Sequence, residues 1–224
     1  SGRSAMPPLV TIEGNVGAGK TTIASHVSKF IPDCKFFQAP SRESNPHWKA
    51  FQANPKDHVL DMQCWFLKER LRVYTDALEH MELQKESVIL DFSVWSDIVF
   101  ATHHHQRGVM SREAYEAYMA LWRSIEALSL PPPHLTILLH ANPTICLERC
   151  EASESLKTPR SRTQRWSKME PAEATSFLED IGSLLRQRWL RDVETVFTPK
   201  WLTGERVAPD AEGLPAAPSK LVSA

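Results

Sequence analysis

The chain has 224 residues, 42% hydrophobic and 24% charged, with a formal net charge of −1. That is enough apolar material for one globular domain with a full core, or for one domain and a tail. The near-zero charge implies no broad attraction to nucleic acid or an anionic membrane, and no apolar run approaches the roughly 18–20 residues of a membrane span. A protein that is soluble, or peripheral to a membrane without spanning it, is expected.

Leu9–Ile12 reads as the first strand and Lys20 to Ile31 as the first helix, stopped by Pro32. Lys35–Gln38 reads as a second strand, and a loop rich in Pro, Ser and Asn follows from Ala39 to Pro55. From Lys56 to Lys85, Val59, Leu60, Trp65, Leu67, Leu71, Tyr74, Leu78 and Met81 recur at helical intervals, which predicts one long helix with a buried stripe. Ser87–Leu90 is the third strand and ends in Asp91. Two helices then fit, Trp95–Arg107 and Arg112–Leu128, the second entered through Ser111 as N-cap with Glu113 and Glu116 in its early turns.

Leu135–Leu139 is a continuous apolar run of the kind buried on both faces of a parallel sheet. Pro143–Cys150 begins another helix, and the polar, basic stretch from Glu151 to Lys168, with Arg160, Arg162 and Arg165, reads as a lid or connector. A helix from Pro171 to Leu190 and a short strand at Thr195–Phe197 complete the expected domain, residues 1–204. Residues 205–224 are rich in Ala, Pro and charge, too poor in apolar surface to order alone, and read as a tail. Strands alternating with helices predict an α/β fold with a five-stranded parallel sheet flanked by helices.

The sharpest local signal is Gly14-Asn15-Val16-Gly17-Ala18-Gly19-Lys20-Thr21-Thr22, placed between a strand and a helix. It matches the phosphate-binding P-loop, in which glycines let successive N–H groups turn toward phosphate oxygens while the helix adds its positive N-terminal end. Lys20 is expected to reach the β- and γ-phosphates, and the Thr21 hydroxyl to ligate Mg²⁺. ATP or a related nucleotide is the implied ligand. Cys34, Cys64, Cys146 and Cys150 show no disulfide spacing and read as buried thiols. His103, His104 and His105 are adjacent, so they fan around a helix instead of converging on a metal, and a solvated face is expected.

The order of motifs resembles the deoxyribonucleoside kinase family over most of residues 8–198. The similar stretches are Ile12 to Thr21, Gln63 early in the long helix, Ser93-Val94-Trp95-Ser96-Asp97 after the third strand, and Ala141 to Arg149 before the lid. The resemblance implies a P-loop nucleoside-kinase-like fold and a nucleoside pocket near Gln63, Trp65 and Asp97. Each has a plainer alternative: Gln63 bonding backbone, Trp48, Trp65 and Trp95 packing in the core, Asp97 as an early-turn acid, Asp91 capping the next helix.

Three departures from the family pattern point away from turnover. Where the family carries a Glu-Pro pair whose acid is the base, this chain has Ala39-Pro40. Glu-Arg-Ser, whose acid helps hold Mg²⁺ in the family, becomes Asp91-Phe92-Ser93, so the resemblance implies a residual metal-side carboxylate at Asp91 while a guanidinium gives way to a phenyl ring. The lid arginines expected soon after Arg149 are replaced by Glu151-Ala152-Ser153-Glu154-Ser155, leaving Arg160 and Arg162 only in a shifted register.

Tyr74 to His80, Ser96 to Phe100 and Pro132 to Leu135 are similar to the branch that forms a kinase-like accessory subunit of mitochondrial respiratory complex I. That resemblance implies a catalytically degenerate nucleotide-binding subunit on the matrix side of the inner membrane, partnered by other protein subunits of a large respiratory assembly. The rival expectation is an active deoxyribonucleoside kinase that uses Glu43 or another carboxylate as base.

Overall fold

The computed structural model describes residues 7–156, Trp166, 169–190 and 221–223. Five parallel strands, β1 (Leu9–Gly14), β2 (Cys34–Phe37), β3 (Ser87–Asp91), β4 (Leu135–Leu139) and β5 (Leu221–Ser223), form one sheet in the order β2-β3-β1-β4-β5. The seven helices among the described residues are α1 (Lys20–Phe30), α2 (Trp48–Ala53), α3 (Pro55–Gln84), α4 (Asp97–Gln106), α5 (Arg112–Glu126), α6 (Pro143–Leu156) and α7 (Pro171–Leu190).

The β1 connection runs by α1 to β2 on one side, while β4 leads by α6 and α7 to β5 on the other. Chain connections therefore diverge at the central strands, and a crevice opens at their carboxyl ends, which is where α/β sheets place ligands. Register is set by long parallel ladders: Ile12 of β1 lies beside Asp91 of β3 and Ile137 of β4. This brings the end of β3 level with the start of the glycine-rich loop.

The two faces of the sheet are covered unequally. One carries the main core, in which Leu67 and Tyr74 of α3, Ile98 of α4, Trp122 of α5 and Leu178 and Ile181 of α7 pack over Leu9, Val88 and Leu90. On the other, Ala24 of α1 packs with Ile12 and Ile89. β4 is thus not buried on both faces as expected: Thr136 and Leu138 are buried, and Leu135, Ile137 and Leu139 only half-buried. Among the described residues, the buried contacts on that face run from α1 to β1 and β3, with Leu139 of β4 packed at their edge.

Several elements match the sequence reading closely. α7 has the expected bounds, α3 differs by one residue at each end, and Ser111 caps α5 by accepting a hydrogen bond from Ala114 N at 3.2 Å. Others differ. The expected helix from Trp95 splits into a 3₁₀ turn, Val94–Ser96, and α4. The loop after β2 contains α2, which buries Trp48 and Phe51. α6 continues to Leu156, through the stretch expected to open the lid, because Glu151 to Leu156 contains no helix breaker. Arg160, Arg162 and Arg165, and the strand expected at Thr195–Phe197, lie outside the described residues. The fifth strand comes from Leu221–Ser223, within the segment expected to be a tail, and pairs in parallel with β4. Without β5, β4 would present a row of unpaired backbone groups, and a short apolar run suffices to satisfy them.

The expectation of a solvated histidine face is corrected. His103 and His104 are both 7% exposed. α4 runs between α3, α5 and α7, so residues on most of its circumference are interior. His103 Nε2 lies 3.2 Å from Asp180 Oδ2 on α7, and its ring meets Phe177 edge-on, while the His104 ring meets Phe51. The cysteine expectation holds for Cys146 and Cys150, which are buried, whereas Cys34 and Cys64 are half-buried; no disulfide forms among the described residues. No described helix is long and apolar enough to cross a membrane.

Candidate functional site

The loop between β1 and α1 is closed by its own backbone and backed by neighbouring helices. Gly14, Gly17 and Gly19 take φ values of +145°, +78° and +95°, conformations that L side chains rarely adopt. At Gly17 space is also limiting, since a Cβ there would lie 2.3 Å from the Cys146 carbonyl oxygen and 2.9 Å from Cys150 Sγ. The loop is thus pressed against α6. Asn15 pins its other side, donating from Nδ2 to the Leu178 carbonyl of α7 at 2.6 Å and accepting from Val16 N at 2.9 Å. Ala18 N donates to Asn15 O at 3.2 Å, and Lys20 Nζ donates to the same carbonyl at 2.8 Å. Arg149 of α6 adds a guanidinium to the rim, its Nη1 donating to Ala18 O at 3.2 Å.

Thr21 Oγ1 donates to Asp91 Oδ2, which joins the start of α1 to the end of β3. Asp91 is 4% exposed, and its Oδ1 is buried without a protein partner. A hydroxyl and a carboxylate with a spare buried lone pair are hard oxygen donors, the kind that hold Mg²⁺ together with phosphate oxygens. The residues therefore fit the metal that the loop implies, through Thr21 and Asp91. Thr22 is exposed on the first turn of α1 and lies off the cleft wall.

From this loop a cleft of about 280 Å³ extends over β3 toward α3 and α4. At one end sits a buried polar cluster. Asp97, fully buried at the start of α4, accepts from Gln63 Nε2 at 2.9 Å, from the Tyr118 hydroxyl at 2.6 Å and from Arg70 Nη1. Gln63 and Arg70 also line the cleft. With its Nε2 committed to Asp97, Gln63 can turn an amide oxygen toward a ligand, while Arg70 offers N–H donors. Trp65 takes no part: it stands off the cleft wall, packed edge-on against Phe66. Trp48 lines the cleft instead, and Trp95 is core, edge-on to Tyr74.

Phe92 occupies the wall between the two ends. Its backbone is left-handed (φ +65°), and its ring lies 5.2 Å from the Lys20 ammonium and 4.6 Å from the Arg70 guanidinium. The ring's electron-rich faces attract both cations while keeping them apart. Burial pulls the Lys20 pKa below its ordinary value, against the opposing pull of Asp91 and Glu13. Burial likewise pushes the Glu13 carboxyl above 4.5, although Ser93 N (2.9 Å) and Ser96 Oγ (2.7 Å) both donate to it. Glu13 therefore ties the strand before the loop to the turn that delivers Asp97.

Ala39 and Pro40 line the cleft beside the loop, and Asp91 is the only carboxylate among the described residues of its wall. Glu43, the alternative base, is exposed and lies off that wall. Arg42, Arg70, Arg149 and Glu13 are site residues that the sequence reading missed. For Arg70 a signal existed: it stands seven residues after Gln63, two helical turns along the same face. Arg42 and Glu13 carry no comparable local mark.

A sequence model of the deoxynucleoside kinase family matches residues 10–165. A deoxyguanosine kinase of Dictyostelium discoideum is 33% identical over 143 residues, which is 64% of this chain and 49% of that protein. A mitochondrial NADH dehydrogenase (ubiquinone) 1 alpha subcomplex subunit 10 of Rattus norvegicus is 26% identical over 153 residues, 58% of this chain and 42% of that protein. The chain thus spans less than half the length of either relative. Among solved structures, a deoxyadenosine kinase from M. mycoides with dCMP and dCDP bound superposes with a TM-score of 0.65 at 20% identity, over 83% of this chain and 85% of that one, which shows a shared fold.

Proposed function

The chain belongs to the deoxynucleoside kinase family, and from that membership we propose that it is a nucleotide-binding protein that no longer phosphorylates a nucleoside hydroxyl at a useful rate. In this reading the loop from Gly14 to Thr22 holds ATP or a related nucleotide with Mg²⁺ on Thr21 and Asp91, and the bound nucleotide stabilises the fold by mass action. The carrying observation is the cleft wall beside the loop, where Ala39 and Pro40 offer no proton acceptor and the only carboxylate among described wall residues, Asp91, is engaged by Thr21. Loss of a positioned base costs on the order of 10²–10⁴ in rate. Similarity to the alpha subcomplex subunits supports an accessory role in the mitochondrial respiratory NADH:ubiquinone oxidoreductase, on the matrix side of the inner membrane, among other protein subunits.

The test is transfer of labelled phosphate from ATP to the four deoxynucleosides by purified protein, with native-gel migration of the chain from its source. Turnover near ~1 per second, within the usual enzyme range, would overturn the degenerate reading, and migration apart from any large assembly would overturn the accessory role. A second reading, an active deoxynucleoside kinase, is supported by the Gln63–Arg70–Asp97 cluster and by the higher identity to deoxyguanosine kinases. If Glu43 is the base in that case, Glu43→Gln abolishes the activity, and unchanged activity removes that candidate.

A further inference from the structure

A hydroxyl acceptor must lose a proton as it attacks, whereas a phosphate monoester has a second pKa near ~6 and is already anionic at neutral pH. A cleft without a spare carboxylate is therefore poor for the first and adequate for the second. The described cleft wall carries three cationic side chains, Lys20, Arg42 and Arg70, and one carboxylate, Asp91. Arg42, three residues after Ala39, is half-buried, with its guanidinium 5.4 Å from the ring centres of both Trp48 and Trp166. Two indole faces fix this arginine on the wall, so it is built in rather than a solvated surface group. Lys20 and Arg70 both lie against the Phe92 ring, 5.2 Å and 4.6 Å from its centre. Arg70 is ion-paired with Asp97 and Lys20 faces the donor phosphates, so the charge that distinguishes a phosphate acceptor from a neutral nucleoside is that of Arg42.

We propose that the end of the cleft facing the phosphate loop takes a nucleoside monophosphate as acceptor, and that the protein makes a nucleoside diphosphate from it. The proposal rests on the reading above that the loop holds a nucleoside triphosphate. A non-bridging oxygen of the monophosphate attacks the γ-phosphorus and forms the new P–O bond. The bond from that phosphorus to the β,γ-bridging oxygen breaks, and its electron pair leaves with the nucleoside diphosphate of the donor. No proton has to leave the acceptor, so the absence of a base at Ala39 is without penalty. What the protein supplies is position and positive charge, the main requirements of phosphoryl transfer.

The full chain, with Mg²⁺ and ATP, is assayed with each of the four deoxynucleoside monophosphates and each corresponding nucleoside, with products separated by anion-exchange chromatography and ATP binding followed by calorimetry. Diphosphate product is expected from at least one monophosphate, at roughly 100-fold or more the rate with its nucleoside, the margin set by a missing base. Arg42→Gln is expected to raise the KM for the monophosphate roughly 10- to 100-fold, the value of a charge-assisted hydrogen bond, with the KM for ATP within about twofold. Arg42→Lys, which keeps the charge, is expected to fall between the two and guards against a variant that merely misfolds. If ATP binds but no monophosphate binds or accepts phosphate, the inference fails and the nucleotide-binding reading stands. If ATP itself does not bind, both fail, and if nucleosides react as fast as monophosphates, the base argument fails with the inference.

Discussion

Replacing Gly17 by Ala tests whether the phosphate loop and α6 form one rigid unit. The residue has φ +78°, and an added Cβ would sit 2.3 Å from the Cys146 carbonyl oxygen, which belongs to helix backbone held by the Cys146 N to Asn142 O bond at 3.0 Å. A left-handed alanine costs about 1–2 kcal/mol. Relieving the overlap requires the loop or α6 to move by about an ångström, an overpacking cost of about 1–3 kcal/mol. Gly108 supplies the control, since its φ is +66° but a Cβ there meets nothing within 4 Å. Gly108→Ala therefore carries the backbone cost alone, and Gly17→Ala both, a difference of about 1–3 kcal/mol. Urea denaturation at constant m measures it directly, and the same difference appears as roughly 2–4 °C of Tm per kcal/mol in a chain of this size. Thermal shift with Mg·ATP adds a second readout: the nucleotide-induced rise in Tm is expected to survive in Gly108→Ala and vanish in Gly17→Ala. Equal stability of the two variants, or a normal nucleotide response in Gly17→Ala, would refute the claim that the loop is seated on α6.

The remaining predictions concern the cluster, the buried acid and a cap. Asp97→Asn leaves the half-buried Arg70 guanidinium without its counter-charge, an expected loss of up to about 3 kcal/mol, the lower end of the range for a buried pair; urea melts that match wild type would show that the pair is unimportant. Because burial raises the Glu13 pKa above 4.5, the folded state retains a proton that the unfolded chain has released. Stability should then fall as pH rises from 4.5 through the folded-state value, by up to about 1.4 kcal/mol per pH unit. Glu13→Gln, neutral throughout, should flatten that part of the curve, and an unchanged slope between pH 4 and 7 would assign it to other groups. Ser111→Ala removes the acceptor for Ala114 N and should cost about 1 kcal/mol, with a change under a few tenths showing that water replaces the cap.

Local order in the chain was enough to specify what depends on neighbours in sequence. The glycine spacing of 14–19 identifies the tight loop between β1 and α1 because only glycine readily takes the left-handed turns at 17 and 19, and the long apolar stripe of 56–85 identifies α3 because its period matches a helix turn. Ser111 announces the start of α5 through a hydrogen bond three residues long in sequence. Of the catalytic pattern that the resemblance implies, the sequence carries Ala39 and Phe92 at positions where charged groups are expected.

Tertiary structure alone decided which distant residues meet. Gln63, Arg70, Asp97 and Tyr118 span 55 positions and three helices, yet share one buried carboxylate because right-handed crossovers stack α3, α4 and α5 on the same face of the sheet. The same stacking buries His103 and His104, which periodicity on an isolated helix would leave in water. It also turns Trp48 into the cleft and leaves Trp65 outside it, and brings Arg42 to the same cleft wall as Ala39. Sequence pattern fixes the elements because backbone hydrogen bonds and side-chain periods are local; the composition of the site is fixed by packing, in which contacts depend on layer and register and not on distance along the chain.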